Sequence, residues 1–118
     1  MYTADGLEHN PRGTPSSMAG DHAAQLDKRR RKLTEFDYGP HWAEIRGAGG
    51  STCLVTWGSS SGAVIEAAER LEAAGRPTRV VALRLIAPLP HEAFHQALAG
   101  AREILIVEQN QTAQLFHY

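Results

Sequence analysis

Four stretches carry residue types that could do chemistry. Gly58-Ser59-Ser60-Ser61-Gly62 fits G-x-S-x-G, the strand-to-helix elbow that exposes a nucleophilic serine. On that reading Ser60 attacks, Glu108 is the acid and His117 the base, in the chain order such hydrolases use. The same residues also make a tight turn whose serines cap a helix. A third reading is that the outward N–H groups of that helix hold an anion. The elbow needs a larger sheet and an oxyanion loop from an earlier strand, and only a polar stretch precedes it. His91-Glu92-Ala93-Phe94-His95 matches H-E-x-x-H, in which two histidines one turn apart bind zinc and the glutamate activates water. It opens a short helix directly after Pro90, and no clear third ligand follows. The other reading is a solvent-facing first turn, with Glu92 near the positive end of the helix dipole. Lys28 to Lys32 is an unbroken basic run that either meets a phosphate or an acidic partner or is a solvated helix face. Glu108-Gln109-Asn110 with Gln114 follows a strand, where it caps the next helix, lines an interface, or does both.

The elements that position these residues differ along the chain. Residues 1–50 are polar and rich in glycine, proline and charge. Pro11, Pro15, Gly6, Gly13 and Gly20 predict an extended arm over the first twenty residues, without a regular element. Asp21 is placed to cap a helix running to about Glu35, with Ala23, Leu26, Arg30 and Leu33 on one face. Tyr38-Gly39-Pro40 ends it, and Ala48-Gly49-Gly50 reads as a flexible joint. From Ser51 onward apolar strands alternate with helical patterns: strand 52–57, helix to about Ala74, strand 80–85, helix 91–99, strand 104–107, and a helix starting near Gln111. Gly75 and Pro77 end the first of these helices, and Pro88-Leu89-Pro90 is a rigid turn into the second. The alternation implies an α/β fold: a small parallel sheet with helices on both faces, in three layers, preceded by the arm and one helix. Three parallel strands make a thin sheet, so the chain is expected to be a piece of something larger or to rely on a partner.

Length and composition set limits. At 118 residues, one domain with a modest core is expected. A net charge of −1 excludes nucleic-acid or membrane binding through bulk charge. Apolar runs are too short to span a bilayer and no signal peptide is visible, which fits a cytoplasmic protein. Cys53 is the one cysteine, so this chain alone forms neither an internal disulfide nor an iron–sulfur cluster.

Several segments, in order, resemble the α subunit of 2-oxoacid:ferredoxin oxidoreductases of the 2-oxoglutarate type. Thr3-Ala4-Asp5-Gly6-Leu7-Glu8-His9-Asn10 and Gly13-Thr14-Pro15 resemble the linker after that family's thiamine-pyrimidine domain. His22 and Arg29 to Leu33 are similar to the helix after it. Trp57-Gly58-Ser59, Gly62 and Glu66-Ala67 resemble its first strand-turn-helix, and Pro88-Leu89-Pro90 its Pro-Leu-Pro turn. Val107-Glu108-Gln109-Asn110 with Gln114-Leu115 is similar to its closing segment, except that Ala113 stands where the family usually has glycine.

The resemblance implies a transketolase-C-like domain over 51–118, truncated at its C-terminus, with 1–50 as the linker arm and helix that follow an absent pyrimidine domain. It implies an enzyme that decarboxylates a 2-oxo acid, 2-oxoglutarate first and pyruvate second, passes two electrons to ferredoxin and forms an acyl-coenzyme A. Thiamine diphosphate, magnesium and iron–sulfur clusters are then expected in the full enzyme and none on this chain. The implied partners are a β subunit, ferredoxin and coenzyme A. No catalytic, cofactor or metal residue is assigned here. The interface candidates are Trp57, Gly58, Ser59, Glu108, Asn110 and Gln114. The alternatives are a stand-alone α/β homo-oligomer that binds an anion, or a hydrolase using Ser60.

Overall fold

Asn10 shapes the arm. In the computed structural model, which describes residues 6–47 and 49–118, its side-chain oxygen accepts hydrogen bonds from the Arg12 and Thr14 N–H groups at 3.0 and 3.2 Å. The turn brings β1 (Glu8–His9) and β2 (Pro15–Ser16) into an antiparallel bridge. The expectation of an arm with no regular element is therefore corrected. Composition does not reveal side-chain-to-backbone bonds of this kind, which let one asparagine close a turn. Thr3, Ala4 and Asp5 of the linker resemblance lie outside the described residues.

Helix α1 (Ala19–Thr34) follows, and none of its residues is fully buried. Asp21 does not cap it. The Asp21 carboxylate accepts a hydrogen bond from the Ser16 hydroxyl at 2.5 Å instead. Charge holds the helix to the hairpin: the Arg29 guanidinium forks onto Glu8, His22 Nδ1 lies 3.4 Å from the same carboxylate, and the Gln25 amide donates to the His9 carbonyl at 3.0 Å. The Arg29 hydrogen bond, opposed by burial and aided by the charges of Arg29 and His22, holds the Glu8 carboxyl below its ordinary value.

The chain divides after Asp37 into two compact units, earlier than the break expected after Gly50. A 3-10 turn, Gly39–Trp42, buries Trp42 to 5 % exposure, and the next residues form β3 (Ala43–Arg46). This strand was hidden in the polar stretch because it lies at a sheet edge. Glu44 and Arg46 are tolerated there and Ile45 stays half exposed; the alternation Ala43-Glu44-Ile45-Arg46 is only four residues long and does not stand out from the polar stretch around it.

The remaining elements are β4 (Thr52–Trp57), α2 (Ser60–Ala73), β5 (Thr78–Leu83), α3 (His91–Leu98), β6 (Glu103–Val107) and the short α4 (Gln114–His117). The sheet has four strands in the order β3-β5-β4-β6. β5, β4 and β6 are parallel, and β3 runs antiparallel to β5. Successive strand residues face opposite sides. Leu54, Val80 and Ala82 meet Val64 and Ala68 of α2 on one face. Cys53, Val55, Val81 and Leu83 meet Ala97 and Phe94 of α3, with Trp42, on the other. The Trp42 and Phe94 rings pack edge to face, centroids 6.3 Å apart. Arg79, inside β5, donates to the carbonyls of Ala97 at 2.7 Å and Ala99 at 2.9 Å, which closes the C-terminal end of α3.

Of the expected Ala48-Gly49-Gly50 joint, Ala48 lies outside the described residues. A Cβ on Gly50 would sit 2.0 Å from the Pro77 carbonyl oxygen, so the backbone passes too close there for any side chain. Gly49 has the same φ of 92° but open space around it. Gly49→Ala should therefore cost about 1–2 kcal/mol from backbone conformation alone. Gly50→Ala should cost clearly more, roughly 3 kcal/mol or above, because the Pro77 segment must also move. Urea unfolding of both variants checks this, and equal midpoints would contradict it.

Candidate functional site

Because β4, β5 and β6 are parallel, their carboxyl ends share one edge of the sheet. There the chain leaves β4 for α2 on one face and leaves β5 for α3 on the other. Such a divergence opens a crevice, the usual ligand and partner position in sheets of this kind. Two clefts adjoin there. One, of about 440 Å³, is lined by Glu44, Trp57, Gly58, Ser61 and Arg84 among others. The other, of about 220 Å³, is lined by Trp57, Ile86, Gln114, Leu115 and Tyr118. Trp57, the last residue of the central strand, stands between them at 38 % exposure, and Tyr118 is 67 % exposed.

Glu108 organises the polar rim. Its carboxylate accepts hydrogen bonds from the Leu115 N–H at 3.0 Å, the Phe116 N–H at 3.3 Å and the Asn110 amide. Asn110 Oδ1 accepts from the Gln114 N–H at 3.0 Å. Together they satisfy the free N–H groups at the start of α4. Burial pushes the Glu108 carboxyl up, but the bonds from Leu115, Asn110, Phe116 and the Trp57 side chain outweigh it and hold the carboxyl below its ordinary value. Ala113 precedes this turn at φ 48°, a left-handed conformation that glycine adopts without strain. At the opposite rim Glu44 accepts from Arg46 at 2.6 Å and Arg84 at 2.8 Å. Those two hydrogen bonds, Arg46 first, lower the Glu44 carboxyl. Sequence reasoning missed Glu44 and Arg84, since β3 itself was not visible.

The structure thus gathers Trp57, Gly58, Glu108, Asn110 and Gln114 on one edge. Ser59 is exposed at the N-cap of α2 with a helical backbone, and it makes no side-chain cap bond, contrary to its expected role. Ser60 is the first residue of α2 and 8 % exposed. Glu108 is committed to α4 and His117 packs edge-on against Phe116. Among the described residues no hydrogen bond joins Ser60 to Glu108 or His117, so the elbow triad is not assembled. His91 and His95 are exposed on the first turns of α3. Among the described residues no three His, Cys, Asp or Glu side chains gather as a metal site. Cys53 is fully buried and its thiol is pushed up by that burial, against a smaller opposing effect of Arg79. Among the described residues, therefore, no donor set fits a magnesium–thiamine diphosphate or iron–sulfur group.

The transketolase C-terminal domain family matches residues 41–114. The chain belongs to that family. Its three-layer sheet with α2 and α3 on opposite faces is the family's fold in this sequence. The 2-oxoacid:ferredoxin oxidoreductase α subunit of Saccharolobus solfataricus is 29 % identical over 96 % of this chain. The corresponding α subunit 2 of Aeropyrum pernix is 30 % identical over 93 %. The chain spans 18 % of the length of each of these curated relatives. The structure of the 2-oxoglutarate:ferredoxin oxidoreductase of Magnetococcus marinus, with 2-oxoglutarate, coenzyme A and succinyl-CoA bound, superposes with a TM-score of 0.73 at 29 % identity. That match covers 99 % of this chain and 21 % of the other. No helix among the described residues is long and apolar enough to cross a membrane.

A carboxyl lowered in the folded state stabilises the fold above its unfolded pKa, and that contribution is lost as pH falls through the folded value. The α4 cap should therefore hold at neutral pH and open on acidification below the ordinary carboxylate value of 4.5. Amide exchange at Leu115 and Phe116 should quicken over that window. In Glu108→Gln exchange should be fast already at pH 7, with no acid step left; retention of the step in the variant would refute the assignment.

Proposed function

We propose that this transketolase C-terminal domain is the closing domain of the α subunit of a 2-oxoacid:ferredoxin oxidoreductase, with 2-oxoglutarate as the oxo acid. The reaction of the whole assembly is oxidative decarboxylation: the acyl group goes to coenzyme A, carbon dioxide leaves, and two electrons pass to ferredoxin. The observation that carries this reading is the likeness to the Magnetococcus marinus enzyme, which runs through the arm and α1 as well as the sheet. The assembly works in the cytoplasm, and thiamine diphosphate, magnesium and the clusters are held on its other parts.

This chain's share is positional. Residues up to Asp37 form the link from a preceding pyrimidine-binding domain. The carboxyl edge of the sheet docks on the β subunit through Trp57, Gly58, Ser59, Glu108, Asn110 and Gln114. An exposed tryptophan at the centre of an apolar patch, with a carboxylate and amides at its rim, is the composition of an interface centre. Glu108 would keep that surface in shape by fixing α4 beside Trp57.

Co-expression with the neighbouring subunits should give a heteromer with broad iron–sulfur absorbance, measured by native mass and visible spectrum. Trp57→Ala should weaken retention of the β subunit by roughly 2 kcal/mol or more. A colourless monomer or homodimer that retains no partner would sink the reading.

A further inference from the structure

The five consecutive cations of α1 separate into two groups. Arg29 is engaged by Glu8 and Arg30 by Asp27. Among the described residues Lys28, Arg31 and Lys32 have no ion-pair partner. These three line one shallow, open depression of about 350 Å³, together with Glu35 and Phe36. Their spacing is i, i+3, i+4, which places the side chains on one helix face about 5–6 Å apart. Phe36, 63 % exposed, forms an apolar wall beside them.

A solvated face explains part of this. Arg31 and Lys32 lie in the last turn of α1, where cations complement the helix dipole. That does not account for Lys28, nor for three uncompensated cations converging on one concavity with a single carboxylate at its end. Like charges at this spacing repel, and a bound anion removes the repulsion. A single carboxylate ligand would satisfy one cation. Two linked phosphates span neighbouring cations, and the guanidinium of Arg31 presents a fork suited to phosphate oxygens. The Phe36 wall suits the flat face of a base.

We propose that Lys28, Arg31, Lys32 and Phe36 form a binding site for the diphosphate end of a nucleoside diphosphate. The site lies wholly within the first unit and does not depend on the assembly role proposed above. Isothermal titration of the full-length chain with ADP, pyrophosphate and adenosine tests it. ADP should bind saturably, pyrophosphate more weakly, and adenosine not at all. The double variant Lys28→Ala/Arg31→Ala should weaken ADP binding at least about tenfold, the loss expected for charge-assisted hydrogen bonds. Arg30→Ala removes one charge from the same helix outside the depression and should change binding less than about twofold, as for an exposed paired charge. Absence of saturable ADP binding, or an equal loss in Arg30→Ala, overturns the proposal. Pyrophosphate binding as tightly as ADP overturns the part given to Phe36 and the nucleoside.

Discussion

Strand β4 is the constraint on which the second unit depends. It pairs with β5 on one side and β6 on the other, in parallel both times. Cys53, Val55 and Thr56 are inaccessible to solvent, and Leu54 nearly so. Parallel pairing forces both crossovers to return over the sheet, and because the steps from β4 to β5 and from β5 to β6 run in opposite directions across it, right-handed crossovers put α2 and α3 on opposite faces. It also aligns three carboxyl ends, so Trp57, Arg84 and Glu108 meet on one edge although they are far apart in sequence. The Thr56 hydroxyl, donating to the Val107 carbonyl at 2.9 Å, ties the central strand to the residue before Glu108.

The two edges of the sheet are unlike. β3 carries Glu44 and Arg46, bound to each other and to Arg84 and Glu69, and such charges blunt an edge against pairing. β6 exposes Ile104 and Leu105 with only Glu103 as a charge along its length. An apolar, unprotected strand is a surface for further pairing. The two edges therefore differ in how far they are guarded against further pairing.

The first unit is built on a different principle. α1 contributes no fully buried residue, so little apolar burial holds it to the hairpin. Glu8 takes that part, engaged by Arg29 and His22. Pairs with a half-exposed cation of this kind are screened by salt.

The sequence by itself determined the elements from Thr52 to Val107. There β4 and β5, buried on both faces, demand uninterrupted apolar runs, β6 keeps an apolar run although its first residues are exposed, and amphipathic helices demand a 3.6-residue period. These leave a pattern that any reader of residues 51–107 meets directly. Motif order also carried the family. What only tertiary structure decided were the features without a decisive local signal: β3, whose four alternating residues are too few to declare a strand; Arg79 as the cap of α3; the Glu44–Arg84 rim; the close approach that makes Gly50 obligatory; and the sorting of five adjacent cations into paired and unpaired. Each depends on which distant residue lies opposite. A sequence records a side chain's chemistry, but its partner is fixed only when the chain has folded.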